Sequence, residues 1–236
     1  MRVTVVTGSR ADYGLLEWPI KLLKADPFFQ VNVVTLWGHN LSSAYHAIEK
    51  RPGDEKLHPD LLLILGARFE ILGAACAAHL NRIPIAHIGG GDVTEGSYDD
   101  AMRDAISRMA SIHFVTSTSA MARLTHMGYR NVHLVGSPGI DYIKHADWKR
   151  DRPIVEPYVV VSYQSETIDG TDESEALLRS LPLDKRKIFI MPNDDKGSDA
   201  IRRRIADYVH SVPFSYKHDF LPHDEFLNLI AHCEEL

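Results

Sequence analysis

Short apolar runs alternate with helix-like stretches along most of this 236-residue chain, and this alternation strongly limits the folds it can adopt. Residues 61–65 read LLLIL and residues 83–88 read IPIAHI, with an alanine-rich stretch between them. Apolar runs of this length, separated by helices and ended by glycine, are typical of buried strands in a parallel sheet. The chain is therefore predicted to be an α/β protein whose sheets are covered on both faces.

The same pattern predicts strands and helices over most of the chain. In the first part, strands are predicted at 2–7, 30–36, 61–65, 84–88, 112–116 and 132–135. The helices between them are predicted at 15–24, 42–50, 68–81, 99–111 and 118–127. A second α/β pattern has strands at 158–163, 187–191 and 214–218, and helices at 172–180, 198–209 and 223–234.

A change in composition divides the chain. Residues 145–157 are charged and contain proline, and no apolar period runs through them. We interpret them as a linker between an N-terminal Rossmann-like domain, residues 1–144, and a C-terminal one, residues 158–236. The second pattern stops where a further strand would be expected, so the second domain is expected to be incomplete. Two α/β halves joined by a linker favour a ligand cleft between them.

Charge and cysteine content narrow the classes of function. A net charge of -6 provides no basic face for nucleic acid, and no apolar run approaches the length of a membrane span. The two cysteines lie far apart in sequence, which is typical of a reducing cytoplasm. The histidines are scattered without HExxH or CxxC spacing, so no metal site is predicted. We expect a cytoplasmic protein that binds neither nucleic acid nor membrane.

Two glycine turns place an arginine where a helix begins after a strand. They are residues 8–10, GSR, and residues 66–68, GAR. A helix N-terminus offers N–H groups to an anion, and Arg10 or Arg68 can add a forked cation to a phosphate. Phosphate binding is one interpretation, and ordinary turns with surface arginines are the other. The GxGxxG spacing of NAD-binding turns is absent, and Glu70 is expected to be solvated.

Three consecutive glycines, Gly89 to Gly91, end the apolar run that contains His87. Glycines permit either close backbone approach to a ligand or a mobile loop. Asp92 follows them and is a candidate acid/base group, with a solvated loop as the alternative. His87, late in an apolar strand, is interpreted as a core histidine in preference to a catalyst.

The next predicted helix begins with two carboxylates, Asp99 and Asp100. The positive end of the helix accounts for one of them and leaves the other available to a ligand. Arg103 follows Asp99 by four residues, so an i,i+4 ion pair is available. In the second half, Gln164 and Asn193 follow predicted strands, where side chains of parallel sheets commonly contact ligands.

Together these motifs resemble those of the UDP-N-acetylglucosamine 2-epimerase family, in particular its hydrolysing branch. The matching segments are TGSRADYGLL, LGARFE, IPIAHIGGGDVTEGSYDDAMRDAISRMASIHF, GSPGIDYI and FIMPNDDKGS. The resemblance implies a glycosyltransferase-B-like pair of Rossmann-like domains that bind a UDP-sugar, form homo-oligomers and need no metal or redox cofactor. The family reaction removes the C2 proton of the sugar, expels UDP to give a glycal, and hydrates the glycal with inversion at C2.

The resemblance also implies roles for individual residues. Asp92 and Asp99 are the implied acid/base groups. Substrate-binding roles are implied for Arg10, Arg68, Arg103 and Asn193, while Gln164 is a substrate-binding candidate from its place after a predicted strand.

Three positions depart from the family pattern. Ala67 stands where the family has an aspartate, Gly89 where it has a glutamate, and Gln164-Ser165 where it has a His-Pro pair. Losing one acid/base group typically costs about 10²- to 10⁴-fold in rate. Asp92 is therefore a candidate to replace the missing glutamate. Three interpretations follow: an active hydrolysing epimerase, a catalytically silent relative that binds a nucleotide sugar, or a fragment whose site is completed by a missing C-terminal part.

Overall fold

A computed structural model describes residues 1–48, 59–149, 151–165, 170–193 and 197–236. The chain divides into two compact units, Met1–Ala146 and Asp147–Leu236. Each unit contains its own parallel sheet, one of six strands and one of three.

Strands and helices alternate throughout the first unit. Its strands are β1 (Arg2–Thr7), β2 (Gln30–Thr35), β3 (Leu61–Leu65), β4 (Ile85–Ile88), β5 (Ile112–Val115) and β6 (Val132–Leu134). Its helices are α1 (Arg10–Ala25), α2 (Leu41–Ile48), α3 (Phe69–Leu80), α4 (Asp99–Met109), α5 (Thr118–His126) and α6 (Pro138–His145). The bounds of β1 and β3 are those predicted from the apolar runs. The helix predicted at 42–50 extends to Ile48, and its last two predicted residues lie outside the described residues.

The strand order of the first unit is β2-β1-β3-β4-β5-β6, and every neighbouring pair is parallel. The chain moves outward from β1 to β2 and then returns to the other side of β1 for β3. At such a reversal the loops that follow the two central strands diverge and leave a crevice at the carboxyl edge of the sheet. The turns after β1 and β3 flank that crevice.

Both faces of this sheet are buried, which explains why its strands are nearly continuous apolar runs. On one face, Val5 and Leu63 pack in a cluster with Leu16 of α1. On the opposite face, Val6 and Ile64 belong to a cluster that includes residues of α2 and α3. The prediction of a sheet covered on both sides is confirmed.

Helix α6 was not predicted from the sequence, because Pro138 and Gly139 suggest a turn. Pro138 occupies the start of the helix, where its missing N–H group removes no hydrogen bond. Gly139 permits close packing on α1, since a Cβ atom there would lie 2.7 Å from Cδ2 of Leu15.

The second unit repeats the α/β pattern on a smaller scale. It contains β7 (Tyr158–Ser162), α7 (Ser174–Ser180), β8 (Arg186–Ile190), α8 (Ser198–Ser211), β9 (Ser215–His218) and α9 (His223–His232). The three strands are parallel in the order β7-β8-β9, and Phe189, Ile201 and Ile205 lie in a core cluster on the sheet. Beside β7, the N–H group of Val160 donates to the carbonyl of Glu235 at 2.9 Å.

Within the described ranges, no helix is both long enough and apolar enough to cross a membrane.

Candidate functional site

The loops that follow β1, β3 and β4 lie at one edge of the first sheet, because the three strands are parallel neighbours. These loops carry Arg10, Arg68 and Asp92, which the sequence predicts as site residues. The fold therefore brings the three predicted positions to the same edge.

The turn after β1 is held by short polar contacts. Ser9 caps α1, and its Oγ accepts a hydrogen bond from the N–H group of Asp12 at 3.1 Å. Arg10 is exposed at the first position of the helix, and its guanidinium carbon lies 5.8 Å from the ring centroid of Trp37. This places Arg10 at the helix N-terminus, as predicted.

Asp12, in the first turn of α1, is a further candidate site residue that the sequence prediction missed. Its Oδ2 is buried and accepts no hydrogen bond from the part of the chain that the structure describes. Burial raises the pKa of this carboxyl, while the hydrogen bond from Ser9 and the charge of Arg68 oppose the shift. The sequence signal was weak, since an acidic residue in the first turn of a helix is ordinarily solvated.

The turn after β3 pairs its arginine with a buried acid. Gly66 has a φ of +80°, in the left-handed region that favours glycine, and Ala67 is buried. Nε of Arg68 lies 3.3 Å from Oε2 of Glu70, which is only 3% exposed. The expectation that Glu70 is solvated is therefore wrong. The ion pair with Arg68 compensates for burial of the carboxylate.

The glycine-rich loop after β4 is packed against its own protein. A Cβ atom on Gly90 would lie 2.8 Å from Oγ of Ser107, and one on Gly91 would lie 2.6 Å from the carbonyl oxygen of Ala120. Gly89 and Gly91 also have φ values of +79° and +81°. The glycines are thus required by close approach of protein groups and by backbone conformation.

Asp92 is half-buried and oriented by a side-chain hydrogen bond. Its Oδ1 accepts from Oγ1 of Thr116 at 2.7 Å. Its other oxygen, Oδ2, lies 3.5 Å from the position that a Cβ atom on Gly89 would occupy. The carboxylate of Asp92 therefore sits beside the place where a side chain at position 89 would begin.

Arg103 organises the segment between Asp92 and α4. This arginine is 7% exposed, and it donates to the carbonyl of Asp92 at 3.0 Å and to Oγ1 of Thr94 at 3.0 Å. It also forms an ion pair with Asp100, three residues before it. The available i,i+4 pair with Asp99 is not the one formed, because Asp100 also accepts from the N–H group of Thr94 and joins the loop to Arg103.

Asp99 is the carboxylate that does not pair with Arg103. It begins α4, where its N–H group donates to Oγ of Ser97 at 3.2 Å. Its half-buried carboxylate has no hydrogen-bond partner among the described residues. Asp100 is bound by Arg103 and Thr94, not by capping of the helix, and Asp99 is the acid that stays available.

His87 lies beneath the glycine-rich loop and is fully buried. Its Nε2 is 2.8 Å from the carbonyl oxygen of Gly66, and its Nδ1 is 3.0 Å from Oγ of Ser107. Burial lowers the pKa of His87 to about 4, and the nearby charges of His113 and Arg103 act in the same direction. The ring is therefore neutral at physiological pH.

An open pocket of about 590 Å³ adjoins Asp92. Its walls are formed by Gly91, Asp92, Val93, Ser117, Ser119 and Arg123. Across the ranges that the structure describes, no three His, Cys, Asp or Glu side chains are arranged to hold a metal ion.

In the second unit, the two predicted ligand-binding positions contact each other. The N–H group of Asn193 donates to Oε1 of Gln164 at 3.0 Å, at the carboxyl ends of β7 and β8. Nearby, Gly197 precedes α8 with a φ of +94° and provides no side-chain cap. The acidic pair Asp194 and Asp195 lies outside the described residues.

Comparison with known proteins gives matches along almost the whole chain. The family model described as UDP-N-acetylglucosamine 2-epimerase matches residues 2–235. A UDP-N,N'-diacetylbacillosamine 2-epimerase (hydrolyzing) of Legionella pneumophila is 28% identical over 295 residues, which cover 99% of this chain and 74% of that protein. Polysialic acid biosynthesis protein P7 of Escherichia coli is 26% identical, over 91% of this chain and 68% of that protein.

Solved structures agree in fold. UDP-GlcNAc 2-epimerase of Neisseria meningitidis, crystallised with UDP-GlcNAc, superimposes with a TM-score of 0.73 at 15% identity, covering 99% of this chain and 76% of that one. The predicted fold class, Rossmann-like parallel sheets of the glycosyltransferase-B-like type, is confirmed. Because the family model covers nearly every residue, the chain belongs to the UDP-N-acetylglucosamine 2-epimerase family, as its motifs indicated.

Proposed function

We propose that this chain is a hydrolysing UDP-N-acetylglucosamine 2-epimerase, which converts UDP-N-acetylglucosamine and water into N-acetylmannosamine and UDP. The observation that carries the proposal is the position of Asp92, whose Oδ2 lies 3.5 Å from the missing Cβ atom of Gly89. A carboxylate is thus present beside the position where the family sequence has a glutamate. The Legionella pneumophila relative is named a hydrolysing 2-epimerase of another UDP-sugar, and a Neisseria meningitidis relative is named a UDP-N-acetylglucosamine 2-epimerase, so both names support the proposal.

The first step needs a base for the proton on C2 of the sugar. Asp92 is suited to this role because Thr116 holds Oδ1 and leaves Oδ2 directed toward the space beside Gly89. As the proton moves to Asp92, its bonding electrons form the C1–C2 double bond. The C1–O bond to UDP breaks, and the electron pair leaves with the diphosphate.

The departing diphosphate gains negative charge, so a cation at this edge of the sheet stabilises the elimination. Arg10 at the start of α1 and Arg68 before α3 are the proposed phosphate-binding residues. Arg103 binds the site loop through the carbonyl of Asp92, and we assign it a supporting role in substrate binding. Gln164 and Asn193, which contact each other, are the proposed positions in the second unit.

Hydration of the glycal is the second step. The oxygen of water adds to C1, and a proton adds to C2 on the face opposite to the one that lost it. Asp99 is the proposed acid/base group for this step, because its carboxylate is half-buried and unused by the described residues. A cytoplasmic homo-oligomer is proposed with this function, and the free thiols of Cys76 and Cys233 are consistent with a reducing compartment.

The proposal is tested by incubating the purified chain with UDP-N-acetylglucosamine and following the products by proton NMR. A parallel reaction with UDP-N,N'-diacetylbacillosamine tests the sugar preference, and calorimetry with UDP measures binding apart from turnover. We expect release of the free 2-epimerised sugar together with UDP. In deuterated water, the product should carry deuterium at C2, because the C2 proton is exchanged during the reaction.

The outcomes separate the proposed function from its alternatives. UDP binding without turnover of either sugar would contradict the enzyme assignment and support a nucleotide-sugar-binding protein. Release of UDP without inversion at C2 would contradict the epimerase step and indicate simple hydrolysis.

A further inference from the structure

The imidazole of His87 connects three segments at the carboxyl edge of the first sheet. It is the third residue of β4 and is fully buried. Its Nε2 lies 2.8 Å from the carbonyl oxygen of Gly66, in the turn after β3. Its Nδ1 lies 3.0 Å from Oγ of Ser107, which is buried on α4.

The chemistry of these partners determines the tautomer. A carbonyl oxygen can only accept, so Nε2 of His87 must carry the proton and donate it to Gly66. In a neutral ring Nδ1 is then an acceptor, and the hydroxyl of Ser107 donates to it. Burial lowers the pKa of His87 to about 4, which favours this neutral form. Both ring nitrogens are fully used inside the protein.

The hydrogen bond to Gly66 acts on a turn that needs support. Gly66 has a φ of +80°, and a Cβ atom there would have no neighbour within 4 Å, so side-chain packing does not hold this residue. Its N–H group donates to the carbonyl of Ile88 at 3.0 Å, and its carbonyl accepts from His87. This turn leads into α3, and Arg68 lies two residues after Gly66.

The glycine-rich loop lies directly over the same ring. A Cβ atom on Gly90 would lie 3.1 Å from Nδ1 of His87 and 2.8 Å from Oγ of Ser107. Only glycine allows the loop to pass this close to the hydrogen-bonded pair. The imidazole therefore limits how closely the loop that carries Asp92 approaches β4. It also supports the turn that carries Arg68.

We propose that His87 is a positioning residue, which fixes the Gly66 turn through Nε2 and so holds Arg68 where the diphosphate of a nucleotide sugar binds. The role rests on the proposed function, because it assigns the diphosphate to Arg68. His87 does not exchange a proton with substrate, since both of its nitrogens bind protein groups.

The test compares three variants by calorimetry with UDP and by thermal unfolding. In His87→Leu the donor to Gly66 is lost, and we expect UDP to bind about 10- to 100-fold more weakly, as expected for a misplaced binding group. His87→Gln keeps an amide donor and should recover part of the affinity. The matched control is His113→Leu in the neighbouring strand β5. His113 is also buried and lies opposite His87 in the sheet, but its Nδ1 has no hydrogen-bond partner among the described residues.

An NMR measurement of the imidazole nitrogens tests the hydrogen bond without any ligand. We expect an Nε2–H tautomer in the wild-type protein, with no titration between pH 5 and pH 8. A ring that titrates near pH 6.5, or that carries its proton on Nδ1, would overturn the proposal.

Binding results distinguish this proposal from the proposed function. If folded His87→Leu binds UDP as tightly as wild type, the positioning role is wrong while the proposed function stands. If wild type binds no UDP, the proposed function fails and the role assigned to His87 fails with it. An equal loss of affinity in His87→Leu, His87→Gln and His113→Leu would indicate general destabilisation and would also overturn the positioning role.

Discussion

The turn after β3 and the loop after β4 each lack a carboxylate that the family resemblance implies there, yet the two positions have different surroundings. At Gly89 in the β4 loop, the carboxylate of Asp92 lies beside the empty position and is oriented by Thr116. At Ala67 in the β3 turn, the methyl group is buried, and Glu70, which follows the turn in α3, is paired with Arg68. The β4 loop therefore keeps an available acid beside the empty position, whereas the β3 turn carries an arginine whose partner is a buried acid.

The largest expected effect follows from removing the acid that distinguishes the β4 loop. Asp92→Asn keeps the shape of the side chain but removes its basicity, so we expect kcat to fall about 10²- to 10⁴-fold. Turnover of UDP-N-acetylglucosamine measured by NMR provides the readout. Asp26→Asn, at the C-terminal end of α1, makes the same change of charge outside the loops that carry the proposed site residues and should leave kcat unaltered. If Asp92→Asn keeps the wild-type kcat, Asp92 is not the catalytic base, and the β4 loop no longer differs from the β3 turn by having an acid available for catalysis.

Glycine substitutions compare the packing of the two regions. In the β4 loop, a Cβ atom on Gly91 would lie 2.6 Å from the carbonyl of Ala120, and φ is +81°. Gly91→Ala should lower the free energy of unfolding by about 3 kcal/mol, from overpacking and backbone strain together. Gly66→Ala in the β3 turn has the strained φ but open space, so about 1 kcal/mol is expected. Urea denaturation of both variants measures the difference, and equal losses would show that crowding is unimportant in the loop.

The pH dependence of stability tests the histidine that joins the two regions. The pKa of His87 is about 4 in the folded protein and near 6.5 when unfolded, so the unfolded state binds more protons between these values. Stability contributed by neutral His87 is present above pH 6.5 and is lost as the pH falls toward 4. Between pH 7 and pH 5 this loss should be about 2 kcal/mol.

His87→Gln cannot titrate, so it serves as the control for this pH effect. Its free energy of unfolding should change less than that of wild type over the same interval. The charged or titratable neighbours His113 on β5 and Arg103 on α4 remain in both proteins, so their contributions cancel in the comparison. Parallel pH profiles for wild type and variant would show that His87 does not have the lowered pKa.

The smallest expected effect concerns the orientation of Asp92. Thr116→Val removes the hydroxyl that donates to Oδ1 at 2.7 Å but keeps the shape of the side chain. We expect kcat to fall about 5- to 10-fold, equivalent to about 1 kcal/mol, the typical net contribution of one hydrogen bond. Thr116→Ser retains the hydroxyl and should stay close to wild type. If Val and Ser have the same kcat, the hydrogen bond does not orient the base.

Much of the fold could be predicted from the sequence because apolar runs and glycine ends are local signals. The strands at Arg2–Thr7 and Leu61–Leu65 have their predicted bounds. Helix α6 was missed, since its Pro138 and Gly139 are favoured in turns and its stability comes from packing on α1. A contact between elements so distant in sequence leaves no local pattern to read.

The candidate site was predicted less completely. Arg10, Arg68 and Asp92 lie at one edge because parallel strands bring their loops together, and the order of strands and helices already implied this. The burial of Glu70 and of the carboxyl of Asp12 could not be predicted, because both depend on neighbours from other strands and helices. The sequence pointed to an i,i+4 pair of Arg103 with Asp99, whereas the pair formed is the i,i+3 pair with Asp100, because Asp100 also accepts from the N–H group of Thr94.

The sequence by itself determined the α/β class and the family. It also determined that Ala67 and Gly89 stand where the family resemblance implies carboxylates. These follow from residue identity and order along the chain. Only the tertiary structure decided that Asp92 stands beside Gly89, that Asp100 and not Asp99 holds Arg103, and that His87 supports the Gly66 turn. The physical reason is that hydrogen bonds and close packing act over a few ångströms. Which distant residues come that close is set by the packed sheet and not by their spacing in the chain.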